Sequence, residues 1–376
     1  MAGLYIHVPF CKTVCGYCDF YKTTRTGLKN VYLNSLLREI DMISSKIIEY
    51  PIRTIYFGGG TPSLLQRNDF ELIFSSLTPF VDLNRLEEVT VEVNPDDFTE
   101  RWVNDIVGLP VNRLSFGIQS VYDDLLKMMG RRHSVKQALS VVDRALLFGF
   151  DNITVDLIYG LPGLSVDRWN NTIDLISSLS IKHVSAYHLT YEKGTRFYED
   201  LKKGLKTEIS DESSIIQYKL LCEKMFKNGF VDYEISNFSL PGFESKHNSL
   251  YWSGEEYFGL GPSAHSFYDG IRRYNISDLS LYSDLIVKGD RFYEEEILSL
   301  RDVYNETIML GLRQRKGIEL FVLERLGDVC LAKFLIASKK FVDNGDLLFD
   351  GACYKVSEKS KFITDYIIQS LFDVEE

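Results

Sequence analysis

HVPFCKTVCGYCDF, residues 7–20, places three of the chain's six cysteines in one short segment. Their spacing is C-x3-C-x2-C, and Phe20 stands where a fourth cysteine would extend the run. Clustered thiolates are soft ligands that select zinc or iron–sulfur clusters. A zinc site would need a fourth ligand, for which His7 is a candidate, but the segment lacks the paired C-x2-C knuckles of common zinc sites. We therefore predict a [4Fe-4S] cluster with one open iron and three protein ligands, Cys11, Cys15 and Cys18.

The composition is that of a globular protein, with 45% hydrophobic and 25% charged residues. The net charge of −11 argues against nucleic-acid binding. No apolar run approaches the roughly 20 residues that a membrane span needs, and the first ten residues are too short and too polar for a signal peptide. We therefore expect a cytoplasmic protein, whose thiols stay reduced.

Six short β-type runs alternate with amphipathic segments in the first half of the chain. Apolar residues recur at helical spacing in residues 31–48 and again in residues 134–149. Strands that alternate with helices predict βαβ units and a parallel sheet. The six runs begin at Leu4, Arg53, Glu87, Asn112, Asn152 and Lys182.

Three consecutive runs have one apolar face and one polar face. In VTVEVN, residues 89–94, valines alternate with Thr90, Glu92 and Asn94. Successive side chains of a strand point to opposite faces, whereas a closed eight-stranded barrel packs its interior with branched apolar side chains. The alternation predicts a partial barrel whose polar lumen binds something small and charged. An amphipathic edge of an open sheet is the alternative.

The second half of the chain is less regular. Residues 233–267 are rich in glycine, proline and aromatics, and we expect a structured functional loop there. A helix at 331–342, a two-strand wing at 346–356 and a last helix at 361–372 follow in the order of a winged helix. The predicted division is a barrel over 1–235, a connecting region over 236–299 and a small, mainly helical, winged-helix-like domain over 300–376.

The C-x3-C-x2-C segment directly after a first strand resembles that of the radical S-adenosylmethionine (SAM) superfamily, over residues 1 to about 240. The resemblance implies an α/β fold with a partial (β/α)6 barrel, and a cluster whose open iron binds the amino and carboxylate groups of SAM. It also implies that GGGTP, residues 58–62, holds the methionyl amino group through Gly59, Gly60 and Thr61. Glycine permits such close approach of the backbone to a ligand.

The same resemblance assigns further SAM contacts to the polar faces of the strands. Carboxylates suit the ribose hydroxyls, and an arginine suits the methionyl carboxylate. Two tyrosines beside the cysteines match the family's aromatic neighbours of SAM. Each residue taken singly also has a purely structural interpretation. The residues concerned are Tyr5, Tyr17, Glu92, Gln119, Arg131 and Asp156.

Within the superfamily the chain is most similar to the oxygen-independent coproporphyrinogen III oxidase group, through blocks such as RLSFGIQS, DLIYGLPG and GLGPSAHSF. It departs from the true oxidases, which carry a fourth cysteine at the position of Phe20 and a longer segment ahead of the cluster. These departures match the HemW-like haem chaperone branch, marked by H-N-x-x-Y-W. Here the motif consists of His247, Asn248, Tyr251 and Trp252.

The chaperone resemblance implies haem binding by this motif, because imidazole is a common axial ligand and aromatic rings can cover a porphyrin. His265 is a second candidate ligand, and a buried core histidine is its other interpretation. The resemblance further implies a homodimer that delivers haem to recipient haemoproteins, among them membrane respiratory enzymes, with peripheral membrane association through the recipient. The alternatives are radical SAM decarboxylation of coproporphyrinogen or radical breakdown of haem, either of which needs a low-potential electron donor.

Overall fold

The computed structural model describes residues 2–374 and contains one large sheet and one small sheet. The strands are β1 Ala2–Val8, β2 Ile52–Gly59, β3 Glu88–Val93, β4 Arg113–Gln119, β5 Ile153–Tyr159, β6 His183–His188, β7 Val231–Asp232, β8 Asn237–Ser239, β9 Glu256–Leu260, β10 His265–Tyr268, β11 Ile271–Asn275, β12 Tyr293–Ile297, β13 Ile318–Glu319, β14 Leu347–Phe349 and β15 Cys353–Val356.

The helices lie between and after these strands and are numbered in chain order. They are α1 Lys29–Ile47, α2 Arg67–Leu77, α3 Glu100–Ile106, α4 Asp123–Met129, α5 Val135–Leu147, α6 Val166–Ser177, α7 Arg196–Lys202, α8 Asp211–Lys227, α9 Lys246–Ser253, α10 Leu279–Lys288, α11 Leu300–Arg313, α12 Leu320–Arg325, α13 Asp328–Asp343 and α14 Thr364–Leu371. None of the helices described is long and apolar enough to cross a membrane.

Strands β1 to β6 are consecutive parallel neighbours in the large sheet. Each coincides with one of the six predicted runs, and α1, α2, α3, α5 and α6 lie between successive members. The apolar face of β3, with Val89, Val91 and Val93, is at most 2% exposed. Its polar face carries Glu92, which lines a cavity. The α/β arrangement that the alternation predicted is confirmed, and its polar face is the face that lines the cavity.

The sheet continues beyond β1 through β9, which pairs with β1 in parallel, and then through β10, β11 and β12. The expectation of a loop over residues 233–267 is therefore wrong, because that stretch contains β8, α9, β9 and most of β10. These elements are three to eight residues long, too short to show a periodicity. Helix α9 begins after Ser245, whose side chain caps it, and ends at Gly254 with φ of +68°.

The C-terminal region has a hydrophobic core of its own, formed by residues between Tyr304 and Leu371. Its small sheet has the order β13-β15-β14, and α13 precedes the two-stranded wing, as predicted. The first core is formed by residues between Ala2 and Phe292. The predicted boundaries at 235/236 and 299/300 stay a prediction.

Candidate functional site

The cysteine segment leaves β1 and folds back against it. Thr23 pairs with both ends of the turn, donating its N–H to the carbonyl oxygen of Pro9 (2.7 Å) and accepting from the N–H of Cys11 (2.9 Å). Gly16 donates to the carbonyl oxygen of Met129 at 2.8 Å, which ties the segment to the end of α4. All three cysteines are free, half-buried thiols that line one cavity, namely Cys11, Cys15 and Cys18.

Burial favours the protonated form of two of these thiols, those of Cys11 and Cys18. Burial raises the pKa of Cys18 to about 11 and also raises the pKa of Cys11. Arg131 reaches Cys15 Sγ at 3.7 Å, so a cation is in place beside a developing thiolate. Among residues 2–374, no three His, Cys, Asp or Glu side chains are grouped closely enough to hold a single metal ion. Three soft donors spread around a cavity fit a larger iron–sulfur cluster.

The glycine-rich end of β2 lies against the cysteine segment. Gly60 donates to the carbonyl oxygen of Val8 at 2.8 Å, and a Cβ on Gly60 would stand 2.7 Å from that same oxygen. Thr61 Oγ1 donates to Cys11 Sγ at 3.5 Å and accepts from Asn94 Nδ2 at 3.2 Å. Gly59, Gly60 and Thr61 therefore line the cavity beside the cysteine segment, and their role in SAM binding stays a prediction.

Two carboxylates, Glu92 on β3 and Asp156 on β5, line the same cavity. Glu92 accepts hydrogen bonds from Tyr56 Oη (2.8 Å) and from the N–H of Gly59 (3.2 Å), and Asp156 accepts from Ser115 Oγ (3.0 Å). Burial, with the charge of Asp156 as a smaller cause, raises the pKa of Glu92 to about 7. Burial also raises the pKa of Asp156. Two partly buried carboxylates favour a ligand that brings hydroxyl donors or positive charge.

Arg131 supplies the opposite charge in the same cavity. Its guanidinium donates to Asn94 Oδ1 and to the carbonyl oxygen of Gly117, both at 2.6 Å. Its buried Nε has no hydrogen-bond partner in the described part of the chain. A buried guanidinium with an unused donor fits an anionic ligand group such as a carboxylate. Gln119, which lines the cavity next to it, has φ of +66° at a register shift between β4 and β5.

The two predicted tyrosines differ in position. Tyr17 lines the cavity and packs edge-on against Phe197. Tyr5 does not belong to the cavity wall; its hydroxyl contacts His7 Nδ1 at 3.1 Å and its ring stacks on Tyr56, with centroids 6.1 Å apart. A role for Tyr5 in SAM binding would therefore pass through Tyr56.

The H-N-x-x-Y-W motif lies on α9, across one end of the lumen. Asn248 reaches the cavity wall, whereas His247 is 1% exposed and both of its ring nitrogens have partners. Nδ1 contacts Thr54 Oγ1 at 2.7 Å, and Nε2 contacts Tyr251 Oη at 2.8 Å. The carbonyl oxygen of Trp252 accepts from Gln314 Nε2 at 2.7 Å. Haem ligation by His247 stays a prediction, and it would require these hydrogen bonds to break.

His265, the second candidate, does not lie in the core, and haem ligation by it stays a prediction. It lies exposed on β10, where its ring stacks on Tyr274 of the neighbouring strand at 5.8 Å. The interpretation as a buried core histidine is wrong, because residue 265 falls on the outward face of β10, while Ser266, the next residue, is buried.

The cavity has a volume of about 690 Å³ and is lined by residues from β2 to β6, the cysteine segment and the C-terminal region. The sequence interpretation missed Tyr56, although it shares the polar face of β2 with Thr54 and Gly58. It also missed Lys361 and Phe362, which reach the cavity from beyond the barrel. No local pattern marks those two residues, because only the tertiary fold brings them to the site.

Comparison with known proteins places this site in a family. A sequence model of the radical SAM superfamily matches residues 5–176. The chain is 38% identical to the haem chaperone HemW of Lactococcus lactis, over 84% of this chain and 82% of that protein. It is 38% identical to HemW of Bacillus subtilis, over 85% of each chain.

A solved structure shows the same fold. Coproporphyrinogen III oxidase from Escherichia coli matches with a TM-score of 0.85 and 19% identity, over 98% of this chain and 89% of that one. At this identity the similarity concerns the fold, and it covers both the partial barrel and the helical C-terminal region. The sequence relatives carry the assignment further: the chain belongs to the HemW family of the radical SAM superfamily.

Proposed function

We propose that the protein is a haem chaperone, which binds haem and transfers it to an apo-haemoprotein on a radical SAM scaffold. The similarity to several haem chaperones over most of the chain is the observation that carries this proposal. Phe20 supports it, because it stands at the position where the oxidases have a fourth cysteine. Its side chain is 62% exposed. Recipient haemoproteins, including membrane respiratory enzymes, and a homodimeric active form are parts of the same proposal.

The cluster and SAM would be held at one end of the cavity. Cys11, Cys15 and Cys18 would bind three irons of a [4Fe-4S] cluster, which when reduced supplies an electron to a bound sulfonium. Arg131 would pair with the methionyl carboxylate, while Glu92 and Asp156 would accept hydrogen bonds from hydroxyl or ammonium groups.

Haem would occupy the other end of the same cavity, under the C-terminal region. All six histidines of the chain lie in the described part, and His188 is the one that borders the cavity. Its Nε2 contacts Ser214 Oγ at 3.0 Å, which orients the ring as a supporting hydrogen bond orients a metal ligand. Its ring lies near those of Tyr159 and Phe362, with centroids 5.1 and 6.1 Å away.

Two cations stand above this end. Lys361 and Arg313 border the cavity, and each already pairs with a carboxylate, Lys361 with Asp232 and Arg313 with Asp365. Haem carries two propionates, which could exchange with these carboxylates without leaving a cation unpaired. We therefore assign iron ligation to His188 and propionate binding to the Lys361–Arg313 side.

An anaerobic titration on protein with a reconstituted cluster tests the function. Haem, or in a parallel series coproporphyrinogen III, is added with and without SAM and dithionite, while the Soret band, 5′-deoxyadenosine and tetrapyrrole products are followed. We expect stoichiometric haem binding, transfer to an apo-haemoprotein, and no turnover of coproporphyrinogen III. His188→Ala should shift or abolish the Soret band, whereas the matched variant His265→Ala should leave it unchanged. Conversion of coproporphyrinogen to protoporphyrinogen would overturn the proposal.

A further inference from the structure

The histidine of the H-N-x-x-Y-W motif is linked to the SAM end of the cavity through an unbroken series of contacts. We propose that His247 is a positioning residue for SAM, acting through Tyr56 on Glu92, and that it does not bind the haem iron. This inference deepens the proposed function, since it rests on the assignment of the cavity to SAM and haem.

The first contact fixes the imidazole. Thr54 Oγ1 and Tyr251 Oη hold the two ring nitrogens at 2.7 and 2.8 Å, and the backbone N–H of His247 donates to Glu88 Oε1 at 3.0 Å. A neutral imidazole has one donor and one acceptor nitrogen, and both are used here. Burial lowers the pKa of His247 to about 3, so the ring is neutral at any physiological pH. No lone pair is left for a metal in this arrangement.

The second contact transmits the position of that ring to Tyr56. The two rings are stacked, with centroids 5.2 Å apart and an interplanar angle of 26°. Tyr5 also stacks on Tyr56, at 6.1 Å and the same 26°. The phenol is therefore packed against two rings, His247 and Tyr5, which restricts the direction of its hydroxyl group.

The third contact reaches the ligand side. Tyr56 Oη donates to Glu92 Oε1 at 2.8 Å, and the N–H of Gly59 donates to the other carboxylate oxygen at 3.2 Å. With both oxygens engaged, the carboxylate has a set orientation toward the lumen. Glu92 borders the cavity, whereas His247 does not.

Truncation of His247 would remove one wall from Tyr56 and let the phenol rotate away from Glu92. The carboxylate would then keep one fixed donor and lose the other. A hydrogen bond of this kind to a charged group is worth about tenfold or more in an equilibrium constant. We therefore expect SAM to bind about tenfold more weakly to His247→Ala, with haem still bound.

The test compares two ligands on the same reconstituted protein. The dissociation constant of SAM is measured by calorimetry and by the change in the electron paramagnetic resonance signal of the reduced cluster, and haem is titrated by its Soret band. His247→Ala and Tyr56→Phe should each weaken SAM binding about tenfold, and the double variant should be no weaker than the worse single one, since both act on one series of contacts. The Soret maximum should stay at the wild-type wavelength.

A third variant separates stacking from ligation. His247→Phe keeps a ring against Tyr56 but cannot bind iron, so SAM affinity should recover relative to His247→Ala while haem binding is retained. Loss of the Soret band in His247→Phe, with SAM affinity intact, would overturn the inference and make His247 a haem ligand. Tyr56→Phe keeps the inference testable if the His247 variants do not fold, because unchanged SAM binding in that variant contradicts it. Failure of the wild type to bind haem would refute the proposed function alone.

Discussion

Removal of one buried charge, by Glu88→Gln, should release α9 from the end of the barrel that this helix covers. Glu88 is 3% exposed, and its carboxylate accepts from Ser245 Oγ (3.2 Å), from the N–H of Lys246 (2.9 Å) and from the N–H of His247 (3.0 Å). It therefore caps the first turn of α9 as an anion at a helix N-terminus. Arg113, 1% exposed, has its Nε 3.9 Å from the same carboxylate.

The size of the effect follows from what the substitution leaves behind. Glutamine has about the same volume, but its amide group has only one acceptor oxygen. Its NH2 group, with two N–H donors, would face the N–H and O–H donors of α9 that now bond the carboxylate. Arg113 keeps its charge and its hydrogen bonds to the hydroxyl oxygens of Thr90 and Thr154, but it loses the carboxylate next to it. Glu92 and Asp156 are further carboxylates whose charges it still feels. Breaking a buried pair by neutralising one partner typically costs about 3–5 kcal/mol. This amounts to more than a hundredfold in the equilibrium for opening α9.

The neighbouring residue supplies a matched control. Glu87 also contacts Lys246, at 2.8 Å, but its side chain is 31% exposed. Glu87→Gln should cost less than about 1 kcal/mol, because a surface ion pair exchanges with water. Both substitutions remove one carboxylate charge beside the same end of α9, so burial is the difference between them.

Hydrogen exchange of the amides in α9, read by mass spectrometry, measures the opening directly. Protection of residues 246–253 should fall about a hundredfold or more in Glu88→Gln and less than about fivefold in Glu87→Gln. Adding Arg113→Met to Glu88→Gln should recover part of the loss, since the double variant has no orphaned charge. Equal loss of protection in the two single variants would refute the reasoning.

Burial raises the pKa of Glu234 from 4.5 to about 7. Its contribution to the free energy of unfolding is therefore full below pH 4.5 and is lost as the pH rises through 7. In urea unfolding, the stability of Glu234→Gln relative to the wild type should rise by about 3 kcal/mol between pH 4.5 and pH 7. Serine at any one of the three clustered cysteines should abolish bound iron and visible absorption after reconstitution, whereas Cys222→Ser should retain both. A Cβ on Gly259 would stand 2.1 Å from the carbonyl oxygen of His265, so Gly259→Ala should lose about 1–3 kcal/mol in thermal or urea unfolding. Gly27→Ala, which meets nothing within 4 Å, should stay within about 0.5 kcal/mol of the wild type.

The features that the sequence predicted well are those that repeat at short range. Alternation in 89–94 identified a strand with two unlike faces, and the structure places Glu92 on the cavity and Val91 in the core. Parallel pairing then brings Glu92 opposite Ser115, and Gly117 opposite Asp156. Polar groups far apart in the chain therefore meet because their strands are neighbours.

The features that were missed depend on contacts between distant segments. Helix α9 has eight residues, and both its capping by Glu88 and its stacking on β2 join positions more than 150 residues apart. The motif on α9 identified which residues matter for the family. It could not show that both nitrogens of His247 are already bonded, because that depends on Thr54 and on the rotamer of Tyr251.

The two ends of the cavity are closed by interactions of different strength, which bears on where a ligand can pass. At the end covered by α9, this helix is held by the buried carboxylate of Glu88 and the buried ring of His247. At the other end, the C-terminal region is held to the barrel partly by an ion pair that water reaches, between Asp232 and Arg315, whose side chain is 46% exposed. Exposed pairs contribute about 0–1 kcal/mol, whereas breaking a buried one costs several. A bulky ligand should therefore enter and leave beneath the C-terminal region, while the end covered by α9 stays closed and keeps Tyr56 and Glu92 in place.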